Sequence, residues 1–118
     1  MVEEITFIQH NTHRSKEVQL AVLQLAAEKR IDILLIQEPY TFQPQNQPYT
    51  SVSHSAFHTL LPSSEIYIRP RVLIYINKLT HASINPRTDI AYDPDVQVIE
   101  VLAKEETFLV INLYNEKQ

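Results

Sequence analysis

The clearest pattern in the chain is the run IDILLIQEPY at 31 to 40, where the apolar residues Ile33 to Ile36 give way at once to an amide, a carboxylate and a proline. A short unbroken apolar run fits a strand buried on both faces. Pro39 has no N–H to offer a ladder, so the strand stops there and Gln37 and Glu38 emerge at its end. Upstream, Glu4 to His10 (EITFIQH) reads as a first strand running into Asn11. Between the two, Val18, Ala21, Val22, Leu25 and Ala26 recur at the spacing of one helical face, which predicts a helix over 15–30. Ser15 is its N-cap, and Lys29 and Arg30 suit its carboxyl end. Strand, helix, strand at this length is a βαβ unit with parallel strands, so Asn11 and Glu38 leave the sheet at the same edge. Ligands of open α/β sheets bind at that edge.

Further along, TFQPQNQP at 41 to 48 reads as a polar loop beside Glu38. Tyr49 to His54 and Phe57 to Leu61 read as short strands, Pro62, Ser63 and Ser64 as a turn, and Arg71 to Ile76 as a strand rich in branched and aromatic residues. Lys78 to Pro94 carries little periodicity and is expected to be a long connection with at most a short extended piece near Ile90. Val96 to Leu102 and Phe108 to Leu113, joined through the charged turn Lys104 to Glu106, predict an antiparallel hairpin that carries Tyr114 to a strand's end. The sum is a mixed β-sheet with one main helix, an α/β protein.

The segments QHNTHRS at 9 to 15 and DILLIQEPY at 32 to 40 resemble the opening of the endonuclease/exonuclease/phosphatase superfamily, most closely the endonuclease domain of non-LTR (LINE-type) retrotransposons. The likeness continues in order through IRPRVLIYINK at 68 to 78, SINPRTDIAYD at 83 to 93, VQVIEVLA at 96 to 103 and FLVINLYNEK at 108 to 117. It implies that residues 1–118 form a single partial domain, half of a four-layer α/β/β/α sandwich lacking its C-terminal half. It also implies that Glu38 is a ligand of a catalytic magnesium ion, with manganese as a substitute. Asn11 would belong to the same metal and phosphate site, and Tyr114 would contact the scissile phosphate. The implied activity is phosphodiester hydrolysis, in the retrotransposon branch the nicking of nuclear target DNA to prime reverse transcription. The family's later motifs, GDxN and SDH, do not occur in the sequence. His13 stands where many relatives carry a small polar or acidic residue.

These departures set expectations of their own. Without the general base, negligible nuclease activity is expected from these residues alone. Half a sandwich should also leave the inner face of its sheet in water, so that the chain self-associates or meets its missing half. A non-catalytic remnant that serves as a protein-interaction or self-associating module is therefore the second reading, and a small-molecule phosphatase a third.

Composition narrows the chemistry. A chain of 118 residues can bury about two-thirds of its unfolded surface, enough for a core. The absence of glycine removes phosphate-cradling loops and the GxSxG elbow of serine hydrolases. The absence of cysteine removes thiolate metal sites, thiol nucleophiles and disulfides. The five histidines show no HExxH spacing. A net charge of −4 argues against gripping nucleic acid chiefly by phosphate neutralisation, a lesser obstacle where a metal supplies the positive charge. No secretory signal or membrane-length apolar window is present, which predicts an intracellular protein with no membrane partner. Arg69 and Arg71 flank Pro70, either as phosphate contacts or as a solvated strand entrance. Taken locally, Glu38 could be an exposed strand-end acid, Asn11 a turn residue and Tyr114 a half-buried aromatic.

Overall fold

The structure is a computed structural model that describes residues 4–62 and 68–115. Its elements run β1 (Phe7–Asn11), α1 (Lys16–Glu28), β2 (Ile33–Gln37), β3 (Phe57–Leu60), β4 (Val72–Asn77), β5 (Ser83–Pro86), β6 (Val96–Ala103) and β7 (Glu106–Leu113). They form a sheet of order β1-β2-β4-β3 and a second of order β5-β6-β7. The expected βαβ unit is present: β1 and β2 are parallel, with Asn11 opposite Gln37. All five residues of β2 are buried, because one face of the sheet meets α1 and the other meets the second sheet.

Leu34, Ile36, Leu73 and Tyr75 pack with Leu23 and Ala26 on the helical side, while Ile33, Leu35 and Ile74 meet Ile99 and Val101 on the other. The molecule therefore has a helix, a sheet and a sheet in three layers. This corrects one expectation: the inner face of the first sheet is not left in water, because the second half of the chain supplies its own covering sheet. The uncovered apolar surface lies one layer further out. Leu102, Leu109, Ile111 and Leu113 are 39%, 50%, 61% and 52% exposed on the outer face of β6 and β7.

The buried stripe of α1 differs from the expected one. Gln19, Leu23 and Ala26 are buried, whereas Val18 and Leu25 are exposed. The true stripe begins one residue later than the apolar spacing indicated, and the reason is Gln19. Its Nε2 donates to Ser51 Oγ (2.9 Å) and to the Tyr75 hydroxyl (2.8 Å), and its Oε1 accepts from the Tyr40 N–H at 2.7 Å. A fully satisfied amide can occupy a core position that a hydropathy pattern assigns to solvent. Ser15 caps the helix as expected, its hydroxyl accepting from the Val18 N–H.

At the other end of α1, Ile31 N–H bonds Ala26 O (2.9 Å) and Arg30 N–H bonds Ala27 O (3.2 Å), with Arg30 at φ 56°. This is a Schellman cap with arginine where glycine is favoured.

Two further expectations are revised. Tyr49 to His54 is not a strand: only Thr50 bridges, to Phe42. The segment is instead tied down by side chains, with Ser51 Oγ donating to Tyr40 O and the Tyr75 hydroxyl donating to Val52 O. The connection at 78–94 contains strand β5, paired antiparallel with β6, while Ile90 lies in a turn. β5 is an edge strand ending at Pro86, where a residue without an N–H is tolerated. Of the turn expected at Pro62, Ser63 and Ser64, the two serines lie outside the described residues.

Candidate active site

The carboxyl end of β2 is where the chain's chemistry collects. β2 ends at Gln37, and Glu38 turns out of the ladder with φ 49°. A non-glycine residue in the left-handed region costs about 1–2 kcal/mol and persists only when its surroundings over-determine it. Here they do. Glu38 N–H donates to Arg71 O (3.0 Å), and Glu38 O accepts from Arg14 N–H (2.7 Å) and from the Thr12 hydroxyl (2.8 Å). His13 and Arg14 are also left-handed, at φ 52° and 60°, so the β1–α1 turn and the end of β2 hold each other in strained conformations. In a chain without glycine, each such turn must be forced by its contacts.

Asn11 is the last residue of β1 and pairs with Gln37, one position before Glu38. Its Oδ1 accepts from the His13 N–H at 2.9 Å. This is the side-chain turn that a local reading of asparagine anticipates. Glu38 has a side chain 22% exposed, and its Oε2 stands 3.5 Å from Nδ1 of the largely exposed His13.

Tyr114 follows β7, and its N–H donates to Asp95 O at 2.8 Å. The Arg71 guanidinium lies over its ring, 5.2 Å from the centroid. That guanidinium is oriented by Asp95 through paired bonds, Nε to Oδ1 at 2.7 Å and Nη2 to Oδ2 at 2.9 Å. Because Arg71 O also receives the Glu38 N–H, one residue joins the acid's backbone to the phenol's ring. Asn11, Glu38, Arg71 and Tyr114 thus share one rim. Arg69 stands two residues before Arg71, its guanidinium 5.7 Å from the Tyr49 centroid.

Sequence reasoning did not single out what lies beneath. Asn112 is 1% exposed between the two sheets. Its Oδ1 accepts from Gln37 Nε2, and its Nδ2 donates to Ile36 O (3.2 Å) and Leu73 O (3.1 Å). Gln97 adds Nε2 to Leu60 O at 2.9 Å. The buried amides fasten the end of β7 against the ends of β2 and β4, which brings Tyr114, just past β7, to the end of the sheets where Glu38 emerges. The available signal was a polar residue at each inward position, Gln37, Gln97 and Asn112, in otherwise apolar strands.

The donor set suits magnesium, which takes hard oxygens and is commonly held by one or two carboxylates with water and substrate phosphate completing its shell. Glu38 offers a carboxylate and Asn11 an amide oxygen. Among the described residues, no group of three or more His, Cys, Asp or Glu side chains is placed to hold a metal unaided. Three depressions of the surface, around Leu60 and Arg87, around Phe7 and Phe108, and around His58 and Thr80, are not lined by Asn11, Glu38 or Tyr114.

The fold has a counterpart among solved structures. The endonuclease domain of TRAS1, a telomere-specific non-LTR retrotransposon, superposes with a TM-score of 0.69 at 16% identity, over 96% of this chain and 45% of that one. The fold is that of part of a retrotransposon endonuclease domain. The chain spans less than half the length of that domain. No protein-family model matches the sequence, and no curated protein does. The half-sandwich reading is borne out by this likeness and by the mixed sheets with a single helix.

Proposed function

We propose that the chain is the N-terminal part of a magnesium-dependent DNA endonuclease domain of retrotransposon type, a phosphodiester hydrolase that works in the nucleus. The observation that supports this reading is that Asn11, Glu38 and Tyr114, at or just past the ends of three separate strands, stand at one end of the sheets, linked through Arg71, within a fold shared with the TRAS1 endonuclease domain. Glu38 and Asn11 would hold the ion, Mg2+ or in its place Mn2+. Once bound, the ion would polarise a phosphoryl oxygen and offset the charge that develops on it. Tyr114 offers a hydroxyl to a phosphate oxygen, and Arg71, itself fixed by Asp95, sets the ring's direction. Arg69 adds a cation on the approach to the rim.

A general base is missing from this set, since neither GDxN nor SDH occurs in the sequence. The chain alone therefore nicks supercoiled DNA negligibly, and DNA is a partner of the completed domain. Robust magnesium-dependent nicking, lost in Glu38→Ala, would overturn the inactivity. The site itself is tested by an amide NMR titration with Mg2+: shifts confined to the neighbourhoods of Asn11, Glu38 and Tyr114 support it, and silence there rejects it.

One observation favours a second reading, a non-catalytic module that pairs with a second copy of itself. Among the described residues, β7 is an edge strand eight residues long, paired on one side by β6. It has no proline or basic residue to discourage pairing, and Leu109, Ile111 and Leu113 lie exposed along it. An antiparallel two-fold pair of such edges sets Glu106 of each copy at opposite ends of the joint, so no like charges meet. Sedimentation should then show a dimer that Ile111→Lys dissociates; a monomer across the accessible concentration range would rule this out.

A further inference from the structure

Among the described residues, β3 and β5 are the outermost strands of the two sheets on the flank opposite β1 and β7. Each is only four residues long, against eight for β6 and β7. Sheets packed face to face stand about 10 Å apart, and edges this short leave the core between them open from the side. Leu60, Ile76, Ala82 and Ile84 pack against that core yet remain only partly buried. Two depressions open there. One, of about 200 Å3, is lined by Leu60, Pro86, Arg87, Ala91, Val98 and Ile99 among others, and the second, of about 380 Å3, by His58, Leu60, Ile76, Lys78, Ile84 and Pro86 among others. Leu60 and Pro86 are walls of both, so the two adjoin as one groove along the flank.

The two ends of the groove ask for different chemistry. Arg87 is already neutralised: it donates to Asp89 through Nε and Nη2, at 2.9 and 2.7 Å, and to Glu100 through Nη1 at 3.2 Å. The hollow beside it is otherwise mostly apolar. An apolar cavity of about 150 Å3 holds benzene, so this one accepts an aromatic or large aliphatic side chain. At the other end His58 and Lys78 are exposed. Neither makes an ion pair among the described residues, and no Asp or Glu among them lines either depression, in a chain that has 14 such residues. This end therefore selects an acidic group. The edge of β3 supplies main-chain partners as well. Lys78 N–H donates to Ala56 O, and the alternation of an antiparallel ladder then turns the N–H and C=O of Thr59 away from β4. The register fixes the spacing: Leu60 pairs with Ile74 and Ala56 with Lys78, about 13 Å apart at the strand rise. An extended chain covers that span in about three or four residues.

We propose that this flank docks an extended, acidic segment of a partner protein. Its aromatic or large aliphatic side chain fills the hollow beside Arg87, an Asp or Glu about three or four residues away meets Lys78 and His58, and its main chain bonds Thr59, in the manner of a strand added to a sheet edge. The proposal goes beyond the endonuclease reading and does not rest on it. It uses the sheet edges opposite β1 and β7, so pairing of two copies through β7 would leave the groove accessible.

The experiment selects random peptides displayed on phage against the whole chain and remakes the enriched sequences as blocked synthetic peptides. The expected result is a set that shares an aromatic or large aliphatic residue with an Asp or Glu about three or four positions away. In an NMR titration these peptides should shift the amide resonances of Thr59, Leu60, Ile84 and Arg87. Alanine in place of the peptide's apolar anchor should weaken binding about tenfold or more, as loss of a buried side chain requires. Lys78→Glu, at an exposed position, should leave Tm unchanged and weaken binding about fivefold, the equivalent of ~1 kcal/mol for an exposed ion pair. Enrichment of no such sequences, peptides whose shifts fall elsewhere on the molecule, or affinity indifferent to Lys78→Glu would overturn the proposal. So would concentration-dependent shifts of the same four amides in the chain without peptide, which would assign the groove to a second copy.

Discussion

Removal of the Asn112 amide tests whether the polar core between the sheets holds the rim together. Asn112→Leu keeps roughly the volume and opens no large cavity, so the cost is mainly that of polar groups stranded in a dry interior. Gln37 Nε2 loses its acceptor, and Ile36 O and Leu73 O lose a donor. An unsatisfied buried polar group costs about 1–3 kcal/mol. Gln37 is 7% exposed and cannot turn to water, so the expected loss is about 2–4 kcal/mol, roughly 10 °C in Tm for a chain of this size. Gln37→Leu strands the partner amide in turn.

The double variant removes donor and acceptor together, and apolar replacement of both is close to neutral when shape is kept. It should be more stable than the sum of the single losses by about 1–2 kcal/mol. Urea unfolding followed by far-ultraviolet circular dichroism supplies the four stabilities of the cycle. A single variant within about 0.5 kcal/mol of the parent, the range of ordinary surface substitutions, would refute the reasoning. So would a double variant that merely adds the single losses.

Three further outcomes follow from local geometry. Arg30→Gly relieves a left-handed arginine at the end of α1 and should stabilise the protein by about 1 kcal/mol in the same assay; a loss of stability would mean that the arginine side chain carries the cap. Burial holds the Tyr75 phenol above its ordinary value near 10, against the smaller pull of its hydrogen bonds with Gln19 and Ser51. The unfolded chain therefore ionises first as pH rises, so this contribution is complete below about pH 10 and is lost above it. Thermal melts should fall more steeply with pH there for the parent than for Tyr75→Phe, and parallel slopes would contradict the assignment. Asp95→Asn weakens the bidentate hold on Arg71 and should cost no more than about 1 kcal/mol, the partly exposed pair being screened by solvent. It should nonetheless shift the Tyr114 ring resonances, and unmoved resonances would show that Arg71 does not orient the ring.

The sequence made the βαβ unit legible because both of its signals are local: an apolar run stopped by Pro39, and a serine cap ahead of a helix. Parallel pairing then followed from connection length, and with it the common edge for Asn11 and Glu38. The hairpin of β6 and β7 was legible for the same reason, an alternating run broken by a charged turn. What escaped was structure held by side chains at long range. Gln19 disguised the buried stripe of α1, since its amide is satisfied by Ser51, Tyr75 and Tyr40, all remote in sequence. β5 escaped because a four-residue edge strand ending in Pro86 takes its stability from β6 rather than from its own pattern. The covering sheet followed from neither composition nor periodicity, which is why the exposed face was expected one layer too far in. At the rim, it was the family resemblance rather than residue type that pointed to Glu38, Asn11 and Tyr114, and the fastening by Arg71, Asp95 and Asn112 required coordinates.

Paramagnetic broadening by Mn2+ tests the proposed metal site most directly, because it reports proximity to the ion whatever the affinity or activity. At substoichiometric Mn2+, the amide resonances of Asn11, Glu38 and Tyr114 should broaden together in the parent chain and recover in Glu38→Gln. The acidic turn at Glu105 and Glu106, at the far end of the hairpin, should remain sharp. Broadening centred on that turn, or unchanged in Glu38→Gln, would contradict a metal site at the end of β2.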